Sequence, residues 1–326
     1  MGVDAAVKWG VLSTADINRK LIPPLHASDK NELIAVGSRD SARAEEYARE
    51  WKIERAYGSY EALLEDADVE AVYISLPNTL HIEWSIRAIE AGKHVLCEKP
   101  LSRHVGDVEA GFAVAERHDK LLMEAFMYRH HPQTKRLRQL VDEGAIGELR
   151  VVRSCFSYSL YDVENIRLRP EVEGGALMDV GCYCVSGSRF LAGEPEQVYA
   201  QQLVGSSGTD WVFTGTLRFP GDVFAQFDCG TALPERDELE AIGSEGSLFF
   251  DDPWHCEEPL IELRREDGTE RIEIERDDPY LVQVENFSDA IRGVADPLLT
   301  RDDAVGQARA LEALYRSAVT GTAVSL

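Results

Sequence analysis

The sequence of 326 residues predicts an α/β protein. A doubly wound parallel sheet comes first, followed by an α+β region built on a large, mainly antiparallel open sheet. Two observations carry this. Over about the first 125 residues, short apolar runs alternate with helical patterns, the arrangement of a parallel sheet covered by helices on both faces. After that, strand-like runs follow one another across turn signals such as Pro220-Gly221-Asp222 and Glu266-Asp267-Gly268, which suits hairpins. The expected domains are 1–125 and 126–326, closely packed because no long linker, repeat or low-complexity segment intervenes.

The elements read as follows. Val7 to Ser13 is a strand, and Asp16 to His26 a helix that Pro23-Pro24 can bend. Glu32 to Gly37 is a strand and Ser41 to Trp51 a charged helix. Ala71 to Leu76 is a strand, and Asn78 can cap the helix after it. In that helix Ile82, Ile86 and Ile89 recur at helical spacing, and Gly92 ends it. Lys93 to Cys97 is a strand, Val105 to Arg117 a helix and Leu121 to Ala125 a strand. Pro132 to Glu143 opens the second region as a helix. Strands follow at Leu149 to Ser157, Gln197 to Leu203, Trp211 to Phe219, Val223 to Asp228, Glu238 to Ile242, Ser247 to Phe250, Leu260 to Arg264 and Arg271 to Glu275. One helix, about Ala176 to Leu191, interrupts them. Helices near Leu281 to Arg292 and Asp302 to Val319 close the chain.

Composition narrows the function. Apolar residues make up 44%, which supports a sizeable core, and no apolar run approaches the ~18 residues of a membrane span. Against 34 basic residues stand 58 acidic ones, a net charge of −24. That argues against nucleic acid and anionic membranes, which need basic patches, and marks a highly soluble surface, as in salt-adapted proteins. The N-terminus MGVDAAVKWGVLS lacks the basic and apolar segments of a signal peptide. Six cysteines are scattered, with no C-x-x-C pair, and Cys182-Tyr183-Cys184 has no matching second pair. No metal site is expected; reduced, buried thiols in a cytoplasm are the default reading.

The stretch WGVLSTADIN lies where a dinucleotide-binding turn should be. The fingerprint G-x-G-x-x-G would put glycines at Ser13, Ala15 and Asn18. Small Ser13 and Ala15 can meet part of the need for a tight turn and close approach to pyrophosphate. The helix start offers N–H groups and a positive dipole end, with Thr14 and Asp16 as candidate caps. A plain structural turn is the competing reading. The second strand ends in Gly37-Ser38-Arg39, with Arg43 a turn later. Ser38 and Arg39 can hold a 2′-phosphate, where an NAD site would place an acid. Otherwise Arg39 is a surface residue beside a helix cap. A strand also ends in Glu98-Lys99-Pro100. A lysine there can polarise a substrate oxygen or form an ordinary surface salt bridge.

With WGVLSTADIN, SLPNTLH, CEKPL and GGALMDVGCY in this order, the sequence resembles the glucose–fructose oxidoreductase / inositol dehydrogenase / MocA (Gfo/Idh/MocA) family along essentially its whole length. MEAFMYRHHPQ looks most like the dihydrodiol and D-xylose dehydrogenase branch. The resemblance implies an N-terminal Rossmann domain and a C-terminal domain for substrate and oligomer contacts, as a homodimer or homotetramer through the sheet. It implies a cofactor site of Ser13, Thr14, Ala15, Asp16, Ile17, Ser38, Arg39, Arg43, Leu76, Pro77, Asn78, His81, Glu98, Lys99 and Pro100. NADP(H) is the preferred cofactor and NAD(H) the second. A cis geometry is implied at Glu98–Lys99 or Lys99–Pro100. His81 lies toward the nicotinamide or caps its helix.

Lys99, Asp179 and Tyr183 match the family's catalytic pattern, with Tyr183 where many members have His. Four residues apart on a helix, Asp179 and Tyr183 can share a face. A phenol of pKa ~10 needs help to act as a base near neutrality, and the Lys99 charge can supply it. The competing reading of Tyr183 is a core aromatic. Tyr158, Tyr161 and Arg167 lie in a loop-like stretch that lines a sugar pocket or is plain surface. Glu124 lines the cofactor cleft or pairs with Arg129. The expected function is an NADP-dependent sugar oxidoreductase, foremost an aldose 1-dehydrogenase of the D-xylose/D-glucose type. The alternatives are a 3-ketosugar reductase and a non-catalytic dinucleotide sensor.

Overall fold

The computed structural model describes residues 5–160, 162 and 164–326. In chain order its elements are β1 (Val7–Leu12), α1 (Asn18–Ala27), β2 (Asn31–Gly37), α2 (Ser41–Trp51), β3 (Arg55–Tyr57), α3 (Tyr60–Leu64), β4 (Ala71–Ile74), α4 (His81–Glu90), β5 (His94–Glu98), α5 (Val105–Arg117), β6 (Leu122–Ala125), α6 (Pro132–Asp142), β7 (Leu149–Ser159), α7 (Cys182–Ala192), β8 (Gln197–Val204), β9 (Asp210–Phe219), β10 (Val223–Gly230), β11 (Ala232–Gly243), β12 (Ser247–Phe250), β13 (Leu260–Arg265), β14 (Gly268–Glu273), α8 (Pro279–Ile291), α9 (Arg301–Thr320) and β15 (Val324–Ser325). The chain divides into two compact units. One comprises Met1–Ser102, Gly106–His130 and Asp278–Val305; the other comprises Arg103–Val105, His131–Asp277 and Gly306–Leu326.

Among the described residues the first unit holds a six-stranded sheet, order β3-β2-β1-β4-β5-β6, with every pair parallel. All four residues of β4 are buried, as are Trp9 to Leu12 of β1. Consecutive buried residues in a strand mean that both faces are covered, so these strands read as continuous apolar runs. Trp9 shows how α8 joins this unit. Its indole Nε1 donates to Asn31 Oδ1 at 2.8 Å, its ring lies 5.7 Å from that of Phe287, and Ser288 Oγ donates to the same Asn31 oxygen. The sequence reading assigned no element to β3 and α3. β3 is a half-buried edge strand of three residues, too short to show a period. In α4 the buried face is His81, Trp84, Ser85, Ala88 and Ile89; Ile82 and Ile86 flank it half-buried.

The second unit is built on a nine-stranded sheet, order β14-β13-β12-β11-β7-β10-β9-β8-β15, among the described residues. Its pairs are antiparallel except β7 with β10. Along β9, Phe213, Gly215, Leu217 and Phe219 are buried while Thr214, Thr216 and Arg218 are exposed, so one face is packed. The exposed residues of these strands are of mixed character. Phe224, Tyr199, Leu203 and Val204 are exposed, but Arg153, Thr214, Thr216, Arg218 and Gln226 are exposed among these strands too. His131 caps α6 by accepting from Gln133 N at 3.1 Å. Among the described residues all six cysteines are free and buried, and no helix is long and apolar enough to cross a membrane.

Candidate active site

In a parallel sheet of this order, the carboxyl ends of all strands share one edge, and ligands bind at the switch between β1 and β4. The turn after β1 sits at that switch. Ser13 has φ +136°, in the region that favours glycine. What holds a serine there is a network of short bonds. Ser13 Oγ lies 2.8 Å from Ser75 Oγ and accepts from Ala15 N at 3.1 Å. Asn18, fully buried in the place of the third glycine, donates from Nδ2 to Ser13 O at 2.9 Å and accepts from Ser75 Oγ at 2.6 Å. The glycine turn is thus replaced by a Ser-Ser-Asn clasp spanning β1 and β4.

The candidate caps Thr14 and Asp16 do not cap. The residue before α1 is Ile17, and no side chain caps the first turn. Asp16 instead pairs with Arg19 on the surface. The amides of residues 18, 19 and 20 donate to the carbonyls of residues 15, 16 and 17, so what this turn offers an anion is the positive end of the helix dipole. At the end of β2, Ser38 is buried with its Oγ accepting from Asp40 N, while Arg39 and Arg43 are exposed. Asp40 is the cap of α2, accepting from Arg43 N at 2.9 Å. Arg39 bonds the buried Tyr60, whose phenol burial pushes up and Arg39 pulls partly back down. Arg43 reaches Thr14 O at 3.4 Å, so this arginine lies beside the β1 turn. These donors fit a phosphorylated dinucleotide.

The third part of this edge is organised by His81. Its ring is 1% exposed; Nδ1 lies 2.9 Å from Pro100 O and Nε2 lies 2.7 Å from Leu76 O. One imidazole thus ties the segment Leu76-Pro77 after β4 to the bend after β5. Asn78 opens a short 3-10 turn that runs into α4, and it does not cap that helix, because the chain is already helical there. The Lys99–Pro100 peptide is cis. Glu98 accepts from the buried Tyr73 hydroxyl at 2.5 Å and from Lys99 N at 3.3 Å. Burial, then the charge of Glu98, pushes the Tyr73 phenol well up, so it stays a donor. Glu124, buried in β6, accepts from Leu101 N at 2.7 Å. It anchors the bend, and the Arg129 side chain bonds Asp303 at 3.3 Å. Lys99 itself is half-exposed.

The second unit contains the other candidate residues. A π-helical segment, Leu177–Gly181, leads into α7, so Asp179 sits in a widened turn and Tyr183 in the first α turn. Asp179 is gripped from two sides. Tyr158 Oη donates to Oδ2 at 2.5 Å and Arg167 Nε to Oδ1 at 3.1 Å. Burial, then the Asp179 charge, raises the Tyr158 phenol far above its ordinary value, which keeps it protonated. Tyr183 is 7% exposed, its ring 5.4 Å edge-on to Phe156 and 5.9 Å from Trp254. Phe156 and Tyr158 are two apart in β7 and so point to one side of the sheet. Asp179 and Tyr183 therefore face the same side of β7. Tyr158 is part of that strand and not of a loop; Arg167 is in a 3-10 turn, Ile166–Leu168. Tyr161 lies outside the described residues.

Sequence reasoning missed Tyr73, Phe156 and Trp254, because nothing in an apolar pattern says which side chain will pack against a candidate site residue. It also missed Asp237, Asp252 and His255, whose possible ligand atoms lie within 4.8 Å of one another. Asp252 accepts from the amides of residues 255–258, and His255 Nδ1 lies 2.5 Å from Asp237 Oδ2. They close a loop.

A parallel sheet of this order, with a tight turn after β1 and a lysine bend after β5 on the same edge, has the form of a dinucleotide-dependent oxidoreductase. Comparison with known proteins agrees. Residues 7–126 match the oxidoreductase family with an NAD-binding Rossmann fold, and residues 134–249 match the GFO/IDH/MocA C-terminal domain. The chain belongs to the GFO/IDH/MocA family of oxidoreductases. It is 38% identical to D-xylose 1-dehydrogenase (NADP(+)) 2 of Haloferax volcanii, covering 98% of this chain and 99% of that one. It is 34% identical to dTDP-3,4-didehydro-2,6-dideoxy-alpha-D-glucose 3-reductase of Actinomadura kijaniata, covering 96% of each. The structure of a 3-ketoreductase from Actinomadura kijaniata in complex with NADP and TDP-benzene superposes with a TM-score of 0.91 at 33% identity, over 96% of this chain and 98% of that one.

Proposed function

We propose that this chain is an NADP(H)-dependent aldose 1-dehydrogenase that oxidises the anomeric hydroxyl of a pyranose such as D-xylose or D-glucose. The observation that carries this reading is the placement of Asp179 and Tyr183 on one side of β7, with Asp179 held by Tyr158 and Arg167. The identity of 38% over 98% of the chain to a D-xylose 1-dehydrogenase supports the substrate class. Ser38, Arg39 and Arg43 support NADP, because two exposed cations follow β2, the segment from which this kind of fold reads the 2′ position of the ribose. The ion pair between Arg167 and Asp179 balances charge, which suits a neutral sugar.

The cofactor supplies the acceptor for the hydride that leaves the anomeric carbon. The chain's residues do the rest. The Tyr183 phenolate takes the hydroxyl proton as the C–H bond breaks, and the product is the lactone. Lys99, on the bend after β5, supplies a positive charge that can polarise a substrate oxygen. Asp179 accepts from a neighbouring sugar hydroxyl and orients the ring. The bonds of Glu98 to Tyr73 and to Lys99 N, and of Glu124 to Leu101 N, fix the bend from which Lys99 projects. A 3-ketosugar reductase is the second reading, favoured by the likeness to the Actinomadura enzyme. A sensor without turnover would have no use for both Lys99 and Tyr183. We also infer a cytoplasmic homodimer or homotetramer assembled through the large sheet, on whose strands Tyr199, Leu203 and Phe224 are exposed.

The deciding experiment titrates NADPH and NADH side by side by fluorescence, then measures NADP reduction with D-xylose and D-glucose. Turnover of an aldose that falls by about 10²-fold or more in Tyr183→Phe, with NADPH affinity kept, is the expected result. Reduction of a 3-keto sugar with no aldose oxidation would replace the reading by the second one. NADPH binding without turnover of any sugar would leave the sensor.

A further inference from the structure

The segment that carries Asp179 and Tyr183 begins without a local cap. Gly174-Gly175-Ala176 offers no side-chain oxygen, and no side chain of the preceding residue caps the π turn. The missing acceptor comes from 33 residues away. Asp210, the first residue of β9 and 4% exposed, accepts from Leu177 N through Oδ2 at 2.7 Å. Its Oδ1 accepts from Tyr315 Oη of α9 at 3.1 Å. Gly175 lies directly against the same carboxylate; a Cβ there would stand 2.1 Å from Asp210 Oδ1. The adjoining backbone carries the contact further. Gly175 N donates to Arg167 O at 2.8 Å and Asp179 N to Gly175 O at 2.9 Å. The residue that grips Asp179, and the turn that presents it, thus both rest on Gly175, and Gly175 rests on Asp210. Arg103 stacks over the Tyr315 ring at 4.9 Å and bonds Glu173 at 3.0 Å, which closes the cluster from the other side.

We propose that Asp210 is a positioning residue for the reaction, capping from a distance the helix that presents Asp179 and Tyr183 and fixing the backbone of Arg167. A carboxylate buried without such donors is unfavourable; burial raises Asp210 to about 6, against the pull of the Leu177 amide, the Tyr315 hydroxyl and Arg103. A carboxylate at this end of a helix also meets the positive end of its dipole. The proposal rests on the dehydrogenase reading for its kinetic consequence and on geometry alone for its structural one, so the two are tested apart.

The test compares Asp210→Ala, Asp210→Asn and Tyr315→Phe with the wild type by hydrogen exchange and steady-state kinetics. Exchange over residues 174–183 rises in Asp210→Ala, less in Asp210→Asn and least in Tyr315→Phe. With a sugar the wild type turns over, kcat falls in the same order, by about 10- to 100-fold in Asp210→Ala, while KM for NADP stays within about threefold. If Asp210→Ala does not fold, Asp210→Asn decides. Unchanged exchange over 174–183, or a kcat within about twofold of wild type, overturns the proposal. So does a parallel loss of kcat and cofactor affinity, which marks general destabilisation. A wild type inactive on every sugar overturns the dehydrogenase reading and leaves the exchange result to judge Asp210.

Discussion

Arg39 and His94 show how single residues couple charge to function and to stability. Arg39 stands exposed at the end of β2 beside Tyr60, and the acid that follows it, Asp40, is engaged in capping α2. Its removal should therefore be selective. Arg39→Ala is expected to weaken NADPH by about 10- to 100-fold, about 1.4–2.8 kcal/mol, and NADH by less than about twofold, measured by fluorescence titration. His94 lies at the start of β5, where its Nδ1 accepts from Leu121 N at 3.0 Å. Burial foremost, with the charge of Lys120, lowers its pKa from 6.5 to about 4. The unfolded chain binds the proton first, so the stability held above about pH 6.5 is lost as pH falls toward 4. The loss reaches up to about 3 kcal/mol. Asp210 and Asp237, both raised to about 6 chiefly by burial, act in the opposite sense: their contribution is present below about pH 4 and fades as pH rises through 6. His94→Asn keeps an acceptor for Leu121 and does not titrate. Urea unfolding of this variant should show a flatter decline of stability between pH 6.5 and 4 than the wild type.

Among the elements, the β1–α1 turn departs furthest from the familiar pattern. Three glycine places are filled by Ser13, Ala15 and Asn18, and the turn still forms because Asn18 binds the Ser13 carbonyl while Ser75 Oγ ties the side chains of Asn18 and Ser13 together. This compensation has a measurable size. Asn18→Ala leaves buried partners without their bonds and should cost about 2–3 kcal/mol in urea unfolding, with weaker NADPH binding. Asn18→Gly restores the fingerprint residue but not the clasp, so it should be no better than Asn18→Ala. A variant Asn18→Ala as stable as the wild type would show that the clasp is incidental. The π segment before α7 is the second unusual element. It widens the turn at Asp179, yet Asp179 and Tyr183 still meet neighbours two apart on β7, so the shared face expected from their spacing survives.

For the whole molecule, the net charge of −24 is the dominant feature. Like charges spread over one chain repel and oppose the compact state, and salt relieves that repulsion. The thermal midpoint is therefore expected to rise by about 5 °C or more between about 0.1 M and about 1 M salt, a shift scanning calorimetry would read. A flat salt dependence would show that local pairs such as Arg292 with Glu70 and Arg55 with Asp66 already balance the field.

Much of the candidate site is legible from residue order alone. Strand periods, the Glu98-Lys99-Pro100 bend and the spacing of Asp179 from Tyr183 are local, and local chemistry is written in neighbouring residues. Charge and composition likewise set the classes of partner without reference to any fold. What only the tertiary structure decided depends on residues far apart in sequence: Asn18 with Ser75, His81 with Pro100, Tyr158 with Asp179, Asp210 with Leu177. Candidate caps at Thr14, Asp16 and Asn78 failed for the same reason. A cap is a competition among all acceptors within reach, and reach is fixed by packing and not by sequence distance. The sequence by itself determined the kind of sheet and named the candidate site side chains. The tertiary structure decided which buried partners hold them in place.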